Sequence, residues 1–80
     1  MLKDCSIREA CARVAKALHE ARLERNLSMT QVAERAGLSR QIVSYTERGM
    51  RTPTLDTLLR LGAALEVDVG ELISRAAKSK

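Results

Sequence analysis

The chain has 80 residues, of which 45% are apolar and 30% charged, so we expect one globular domain spanning residues 1–80. Two cysteines, Cys5 and Cys11, are too few for a disulfide framework and favour a reducing cytoplasm. No apolar run approaches the roughly 18 residues of a membrane span, and the length excludes an enzyme with a separate substrate domain. The formal net charge of +4 favours a polyanionic partner. It is concentrated mid-chain, because residues 39–53 carry three arginines and one acid, whereas residues 54–73 carry one arginine and four acids.

The first predicted helix spans residues 7–25. Ser6 begins a capping box of the form S-x-x-E, and Asn26 is a plausible stop. Apolar side chains follow the box at helical spacing: Ile7, Cys11, Val14 and Leu18. Cys11 is therefore predicted to be a core residue. His19 is predicted to be a surface residue, because no second metal ligand accompanies it.

The middle of the chain predicts two short helices joined by a tight turn. Ser28 begins a second capping box, S-x-x-Q, and Gly37 ends the helix that it opens. Ser39 caps the next helix, which Gly49 ends. Because only three residues connect the two helices, residues 28–49 are predicted to form a helix-turn-helix unit.

Two further helices are predicted after a loop that contains Pro53. Thr54 caps the fourth helix, over residues 54–66, and Asp68 opens the fifth, over residues 69–77. The apolar side of the fourth helix is predicted to consist of Leu55, Leu58, Leu59, Leu61 and Leu65. Gly62 lies inside this helix and indicates close packing against a neighbour. Every segment is typical of a helix, so the predicted fold class is all-α.

The third helix separates polar from apolar side chains when it is drawn at about 100° per residue. One arc carries Arg40, Gln41, Ser44, Tyr45 and Arg48. The opposite side carries Ile42, Val43 and Thr46. A single helix fits the DNA major groove, where Arg pairs with guanine, Gln pairs with adenine and Ser donates or accepts. For a polar face on an isolated helix, simple exposure to solvent is the commoner explanation. Here the tight turn before the third helix and the basic loop after it favour DNA binding.

Residues 16–73 resemble the Cro/repressor-type helix-turn-helix family, also called xenobiotic-response-element-type regulators. The matching segments are residues 21–28, 32–39, 43–49 and 51–55, together with Leu58. Ala33 and Gly37 match the small residue and the turn glycine of the motif. The resemblance implies a five-helix, phage-repressor-like fold. It also implies transcriptional regulation, as a repressor that binds a palindromic operator on double-stranded DNA as a homodimer.

The resemblance also implies roles for individual residues. The base-contacting positions fall on Arg40, Gln41, Ser44 and Tyr45. The positions that contact the DNA backbone fall on Ser28, Met29, Ser39, Arg48, Arg51 and Thr52. A structural ion pair is implied between Arg22 and Glu47. Met29 stands where the family commonly has a phosphate-binding Gln, and Thr46 stands where it prefers an aliphatic residue. The Thr46 hydroxyl is expected to bond the carbonyl four residues back.

Several roles stay open at this point. A phage-like repressor, an antitoxin with a toxin partner and the controller of a restriction-modification operon share the same DNA-binding mode, and the dimer can form through the first or the fifth helix. A protein-bridging module of the same fold is the alternative from another class, although the basic face argues against it. No nucleophile–base set, metal-ligand spacing or phosphate-cradling loop is apparent, so we expect no catalysis, metal or cofactor.

Overall fold

Short capped helices follow one another along the chain. The computed structural model describes residues 4–78, with side chains from Ser6 onward, and over this range the backbone forms five helices. They are α1 (Asp4–Glu24), α2 (Met29–Ala36), α3 (Arg40–Glu47), α4 (Leu55–Leu65) and α5 (Val69–Lys78). The predicted all-α class is confirmed for the described residues. None of these helices is both long and apolar enough to cross a membrane.

Side-chain caps determine where the two central helices begin. The Ser28 Oγ accepts a hydrogen bond from the Gln31 backbone N at 3.0 Å, and the Gln31 side chain accepts one from the Ser28 N at 2.8 Å. This is the capping box that the sequence predicts. The Ser39 Oγ accepts from the Ile42 N at 3.1 Å in the same way. Between them, Gly37 adopts the left-handed conformation (φ 69°) that favours glycine and ends α2.

The start of α1 differs from its predicted start. The helix already includes Asp4, so Ser6 lies inside it and does not act as its N-cap. Its other end matches the prediction, since Asn26 adopts a left-handed conformation (φ 56°) just beyond Glu24. The 21 residues of α1 extend about 31 Å at 1.5 Å per residue, so its first turns reach beyond the central core.

Cys11 is exposed, and its predicted place in the core is therefore wrong. It lines an open groove between the first half of α1 and α5, together with Ile7 and Ile73, which are 45% and 41% exposed. This part of α1 packs along α5, where the Arg13 Nη1 donates to the Ala76 carbonyl at 3.1 Å. Too few elements surround it to cover its whole apolar stripe. The side chain of Cys5 lies outside the described residues.

The core is built from aliphatic side chains and alanines of the first four helices. Its buried members are Leu18, Ala21, Val32, Ala33, Ala36, Val43, Leu61, Ala64 and Leu65. In this core α2 packs against both α3 and α4, while α1 contacts α3, α4 and α5. The predicted close packing at Gly62 is present, because a Cβ there would collide with the Val69 side chain at the start of α5. The helix-turn-helix unit is therefore held between α1 and α4.

Two of the leucines predicted on the apolar side of α4 face outward instead. Leu55 is 68% exposed and Leu59 is 57% exposed, whereas Leu61 and Leu65 are each 1% exposed. The buried arc of α4 is centred on Leu61 and Leu65, and at about 100° per residue Leu55 and Leu59 fall roughly 100° and 140° from that centre. The five leucines span about 160° of the circumference, and the core contact covers only one side of that span.

Candidate nucleic-acid interface

One side of α3 anchors it to the core. Val43 is fully buried and Thr46 is 3% exposed. The Thr46 Oγ1 donates to the Ile42 carbonyl at 2.8 Å, which is the bond expected from its position. A threonine thus fills the aliphatic site without leaving its hydroxyl unpaired, and the opposite side of the helix is free to face a partner.

A polar cluster fastens the end of α3 to α1. The Arg22 Nε donates to the Glu47 Oε2 at 2.8 Å and to Oε1 at 3.1 Å, and the Arg22 Nη1 donates to the Leu27 carbonyl at 3.0 Å. The Glu47 side chain is only 3% exposed, and that of Arg22 is 10% exposed. The expected pair is therefore a buried ion pair whose remaining hydrogen-bonding groups are also used, the condition under which such a pair is stable.

His19, predicted to be a surface residue, completes this cluster from the surface side. Its Nδ1 lies 2.8 Å from the Glu47 Oε1, and its side chain is 42% exposed. His19 and Arg22 are three residues apart, a spacing that places both on one face of α1. That spacing is the sequence signal that could have connected His19 with the ion pair.

The outer face of α3, formed by Arg40, Gln41, Ser44, Tyr45 and Arg48, points away from the core. Arg40, Gln41 and Arg48 are exposed, while Ser44 and Tyr45 are half-buried. Ile42, predicted on the apolar side, is 38% exposed and borders this face. The buried arc of the helix runs through Thr46, Val43 and Glu47, so at about 100° per residue it is displaced away from Ile42 relative to the arc that the sequence indicates.

Two contacts organise this surface internally. The Gln41 Nε2 donates to the Tyr45 Oη at 2.7 Å, one helical turn along α3. The Arg51 guanidinium carbon lies 5.2 Å from the centre of the Tyr45 ring, within the range of a cation–π contact. Arg51 belongs to the loop after α3, so the loop and the outer face of α3 are connected through Tyr45.

The residues expected to contact a DNA backbone are mostly exposed. Ser28 and Ser39 are exposed N-caps whose hydroxyl groups accept from backbone N–H groups and keep a proton to donate. Arg48, Arg51 and Thr52 are exposed as well. Met29 differs, because its side chain packs against the core and offers no polar atom. At that position only the backbone N–H can reach a phosphate.

The charge of this surface is positive without an opposing acid on α3. Glu47 is the one acid within α3, and it is buried against Arg22. Arg40, Arg48 and Arg51 therefore carry the local charge. The nearby Arg60 donates to the Ala36 carbonyl at 3.3 Å and supports the end of α2. The arrangement suits a rigid helix presenting guanidinium, amide and hydroxyl groups to a polyanion.

Comparison with known proteins gives a consistent result. A helix-turn-helix family model matches residues 18–72 of the chain. An uncharacterized HTH-type transcriptional regulator of Mycobacterium tuberculosis is 43% identical over 51 residues, which make up 64% of this chain and 36% of that protein. The immunity repressor protein of Bacillus phage phi105 is 35% identical over 60 residues, or 75% of this chain and 42% of that protein. The chain thus spans less than half the length of these two relatives.

A solved structure extends the similarity to the fold. The restriction-modification controller protein C.AhdI from Aeromonas hydrophila superposes with a TM-score of 0.73 at 34% sequence identity. The superposition covers 78% of this chain and 94% of that one. The five-helix arrangement of this chain is therefore similar to that of this controller protein.

Proposed function

Because the chain belongs to the Cro/repressor-type helix-turn-helix family of DNA-binding transcriptional regulators, we propose that it is a repressor that binds a palindromic operator as a homodimer. In this proposal α3 enters the major groove, and two copies occupy successive grooves about 34 Å apart. Arg40, Gln41, Ser44 and Tyr45 contact bases. The observation that supports this proposal most directly is the outer face of α3, which points away from the core, is polar and basic, and is free of acids because Glu47 is turned inward.

The contacts to the DNA backbone come from both helices of the unit and from the loop. The proposed residues are Ser28, Met29, Ser39, Arg48, Arg51 and Thr52, with Met29 acting through its backbone N–H alone. Phosphate contacts of this kind position the protein, whereas the base contacts of α3 carry the sequence preference. About four phosphates per subunit correspond to a log–log salt slope of roughly −7 for a dimer, at about 0.9 per phosphate.

Electrophoretic mobility shift at several salt concentrations tests the DNA-binding proposal. We expect a slope near that value for the wild type and a shallower one for Arg48→Ala. Arg75→Ala is the control, because it removes the same charge from an exposed position on α5, where Arg75 pairs with Glu71 outside the proposed interface. A slope near zero for the wild type, or equal loss from both variants, would contradict the proposal.

Uncovered apolar side chains on α4 support pairing with a second copy of the chain. Leu55 and Leu59 are one turn apart and more than half exposed, so an isologous contact through α4 would remove them from water. The fifth and first helices were the expected interfaces, and α4 joins them as a candidate. Sedimentation equilibrium compares Leu59→Glu with Leu23→Glu on α1, one of the rival interfaces. Loss of self-association in Leu59→Glu alone supports α4, and self-association of Leu59→Glu equal to that of the wild type would exclude α4.

Two other roles use the same DNA-binding mode. The likeness to C.AhdI favours a restriction-modification controller as the second candidate, and an antitoxin with a toxin partner is the third. The gene next to this one separates them, since it would encode a restriction enzyme, a toxin or neither. A bridging module without DNA binding is disfavoured by the basic outer face of α3. Protein capture in nuclease-treated extract, with no mobility shift on any DNA, would favour it.

A further inference from the structure

Tyr45 makes two contacts within the protein that use both of its chemical features. Its hydroxyl oxygen accepts a hydrogen bond from the Gln41 Nε2 at 2.7 Å. Its ring lies beneath the Arg51 guanidinium, whose carbon is 5.2 Å from the ring centre. Tyr45 is half-buried, whereas Gln41 and Arg51 are exposed. The less exposed residue thus lies between two more exposed side chains.

The bond to Gln41 leaves free the groups that adenine requires. A glutamine amide has two N–H donors and one carbonyl acceptor. Bidentate pairing with adenine uses one N–H, donated to N7, and the carbonyl oxygen, which accepts from N6. Tyr45 occupies a single N–H, so the second N–H and the Oε1 remain available. Because the Gln41 Nε2 is hydrogen-bonded to Tyr45, the orientation of the amide group is fixed, and its free N–H and its Oε1 point in defined directions.

The contact with Arg51 concerns the part of the interface that is proposed to contact the DNA backbone. Arg51 extends from the loop after α3, where a free side chain would sample several rotamers. Stacking of its planar guanidinium on the Tyr45 ring restricts that freedom while leaving its N–H donors at the edge. A side chain that is already ordered before binding loses less conformational entropy on association.

We propose that Tyr45 is a positioning residue for DNA recognition: its hydroxyl orients Gln41 toward an adenine, and its ring holds Arg51 for a phosphate. This rests on the proposed function and changes one part of it, because Tyr45 acts through its neighbours rather than reading a base itself. The proposal predicts that the preference assigned to Gln41 depends on an oxygen atom that belongs to residue 45.

The test uses DNA selected by the full-length wild-type protein from random duplexes, together with copies of that site substituted at each base pair. Tyr45→Phe removes the hydroxyl and keeps the ring, and Gln41→Ala removes the amide. We expect Tyr45→Phe to lower discrimination about three- to tenfold, as loss of one hydrogen bond would, at the same base pair that Gln41→Ala affects. The double variant is expected to match Gln41→Ala, because the hydroxyl has nothing left to orient.

A second pair of variants tests the ring. Tyr45→Leu is expected to weaken binding to all sequences and to reduce the salt slope as Arg51→Ala does, by about 0.9 per phosphate lost, while Tyr45→Phe is expected to keep the wild-type slope. Thermal unfolding establishes whether Tyr45→Leu is folded. If Tyr45→Leu is unfolded, the comparison of Tyr45→Phe with Gln41→Ala alone tests the proposal.

The outcomes are distinguishable from failure of the proposed function. If Tyr45→Phe relaxes a different base pair from Gln41→Ala, or if the two effects add, Tyr45 reads a base directly and the inference is overturned while DNA binding stands. An unchanged preference in Tyr45→Phe also overturns it. If the wild type selects no DNA, the proposed function itself fails.

Discussion

The side chain of Glu47 links two tasks, because it ends the helix proposed to read DNA and is buried against α1. Its oxygens accept from the Arg22 Nε, and one of them lies 2.8 Å from the His19 Nδ1. Among the described residues no buried side-chain nitrogen or oxygen lacks a hydrogen-bond partner. Each buried nitrogen and oxygen of the pair thus has a partner, and removing Arg22 or Glu47 leaves the other charge in the interior without its counterpart.

Glu47→Ala is expected to lower the free energy of unfolding by about 3–5 kcal/mol, since the buried Arg22 loses its carboxylate. DNA affinity is expected to fall as well, because the end of α3 loses its attachment to α1. Urea unfolding measures the first effect and mobility shift the second. Glu20→Ala, on the exposed side of α1, is the control, with an expected change within about 0.5 kcal/mol. An unchanged melting temperature for Glu47→Ala would show that the pair contributes nothing.

Arg40 and Arg51 are exposed arginines with different proposed tasks. Arg40→Ala is expected to cost about 1–3 kcal/mol on the preferred operator and to relax specificity at one base pair, because a bidentate contact with a base is lost. Arg51→Ala is expected to weaken all sequences to a similar degree. Competition with operators substituted one base pair at a time measures both variants. Identical profiles for the two would contradict the division between base and phosphate contacts.

At the scale of elements, α4 shows how position on a helix decides the role of a residue type. Leu59 and Leu61 are two residues apart, yet one is 57% exposed and the other 1% exposed. Gly62, beside them, lets α5 approach so closely that a methyl group would collide with Val69. The helix therefore supports the helix-turn-helix unit on one side and leaves an uncovered apolar edge on the other.

Leu61→Ala is expected to lower the free energy of unfolding by about 2–5 kcal/mol through lost burial and the resulting cavity. Leu59→Ala is the matched control on the same helix and is expected to change it by less than about 0.5 kcal/mol. Urea unfolding at a protein concentration where sedimentation shows a monomer measures both values. Comparable losses for the two variants would show that the outward placement of Leu59 is wrong.

Elements whose boundaries depend on local chemistry were predictable from the sequence. Ser28, Ser39 and Thr54 each accept a hydrogen bond from a backbone N–H of their own helix, and Gly37 supplies a left-handed turn. These signals need no knowledge of the rest of the fold. By contrast, the start of α1 does not follow its apparent capping box at Ser6.

Features that depend on distant partners were predicted less well. Helical spacing places Cys11 and Leu55 on apolar stripes but does not show how much of each stripe a neighbouring helix covers. Ile42 lies at the exposed edge of α3, and the buried arc extends on its other side to Glu47, which pairs with the buried Arg22. At the candidate site, the residue types of the outer face were predictable, and the contacts of Tyr45 with Gln41 and Arg51 were not.

The whole molecule combines a small core with a basic surface. Its 80 residues include one Tyr and neither Phe nor Trp, and its buried apolar residues are Leu, Val and Ala. A domain of this size buries only about 60% of the surface of its unfolded chain, so its stability is expected to be marginal without a partner. A ligand that binds only the folded state adds to that stability by mass action.

Operator DNA is expected to raise the melting temperature by roughly 10–20 °C. Free duplex at 100 times its dissociation constant adds about 2.7 kcal/mol, and each kcal/mol shifts the midpoint of a domain this small by about 4–8 °C. Thermal unfolding followed by circular dichroism at 222 nm in low salt measures the shift. A scrambled duplex of equal length at the same concentration is the control, with a smaller expected shift. Equal shifts for both duplexes would indicate binding without sequence preference.

The separation of α3 into a buried and an outer side has a consequence for how such a protein diversifies. Val43, Thr46 and Glu47 hold the helix in place, whereas Arg40 and Gln41 are exposed and outside the core. Substitutions at the exposed positions can redirect the protein to new sites in a genome while the buried residues that hold α3 stay the same. Related regulators can thus acquire distinct targets by exchanging a few surface side chains, with little effect on the stability of the fold.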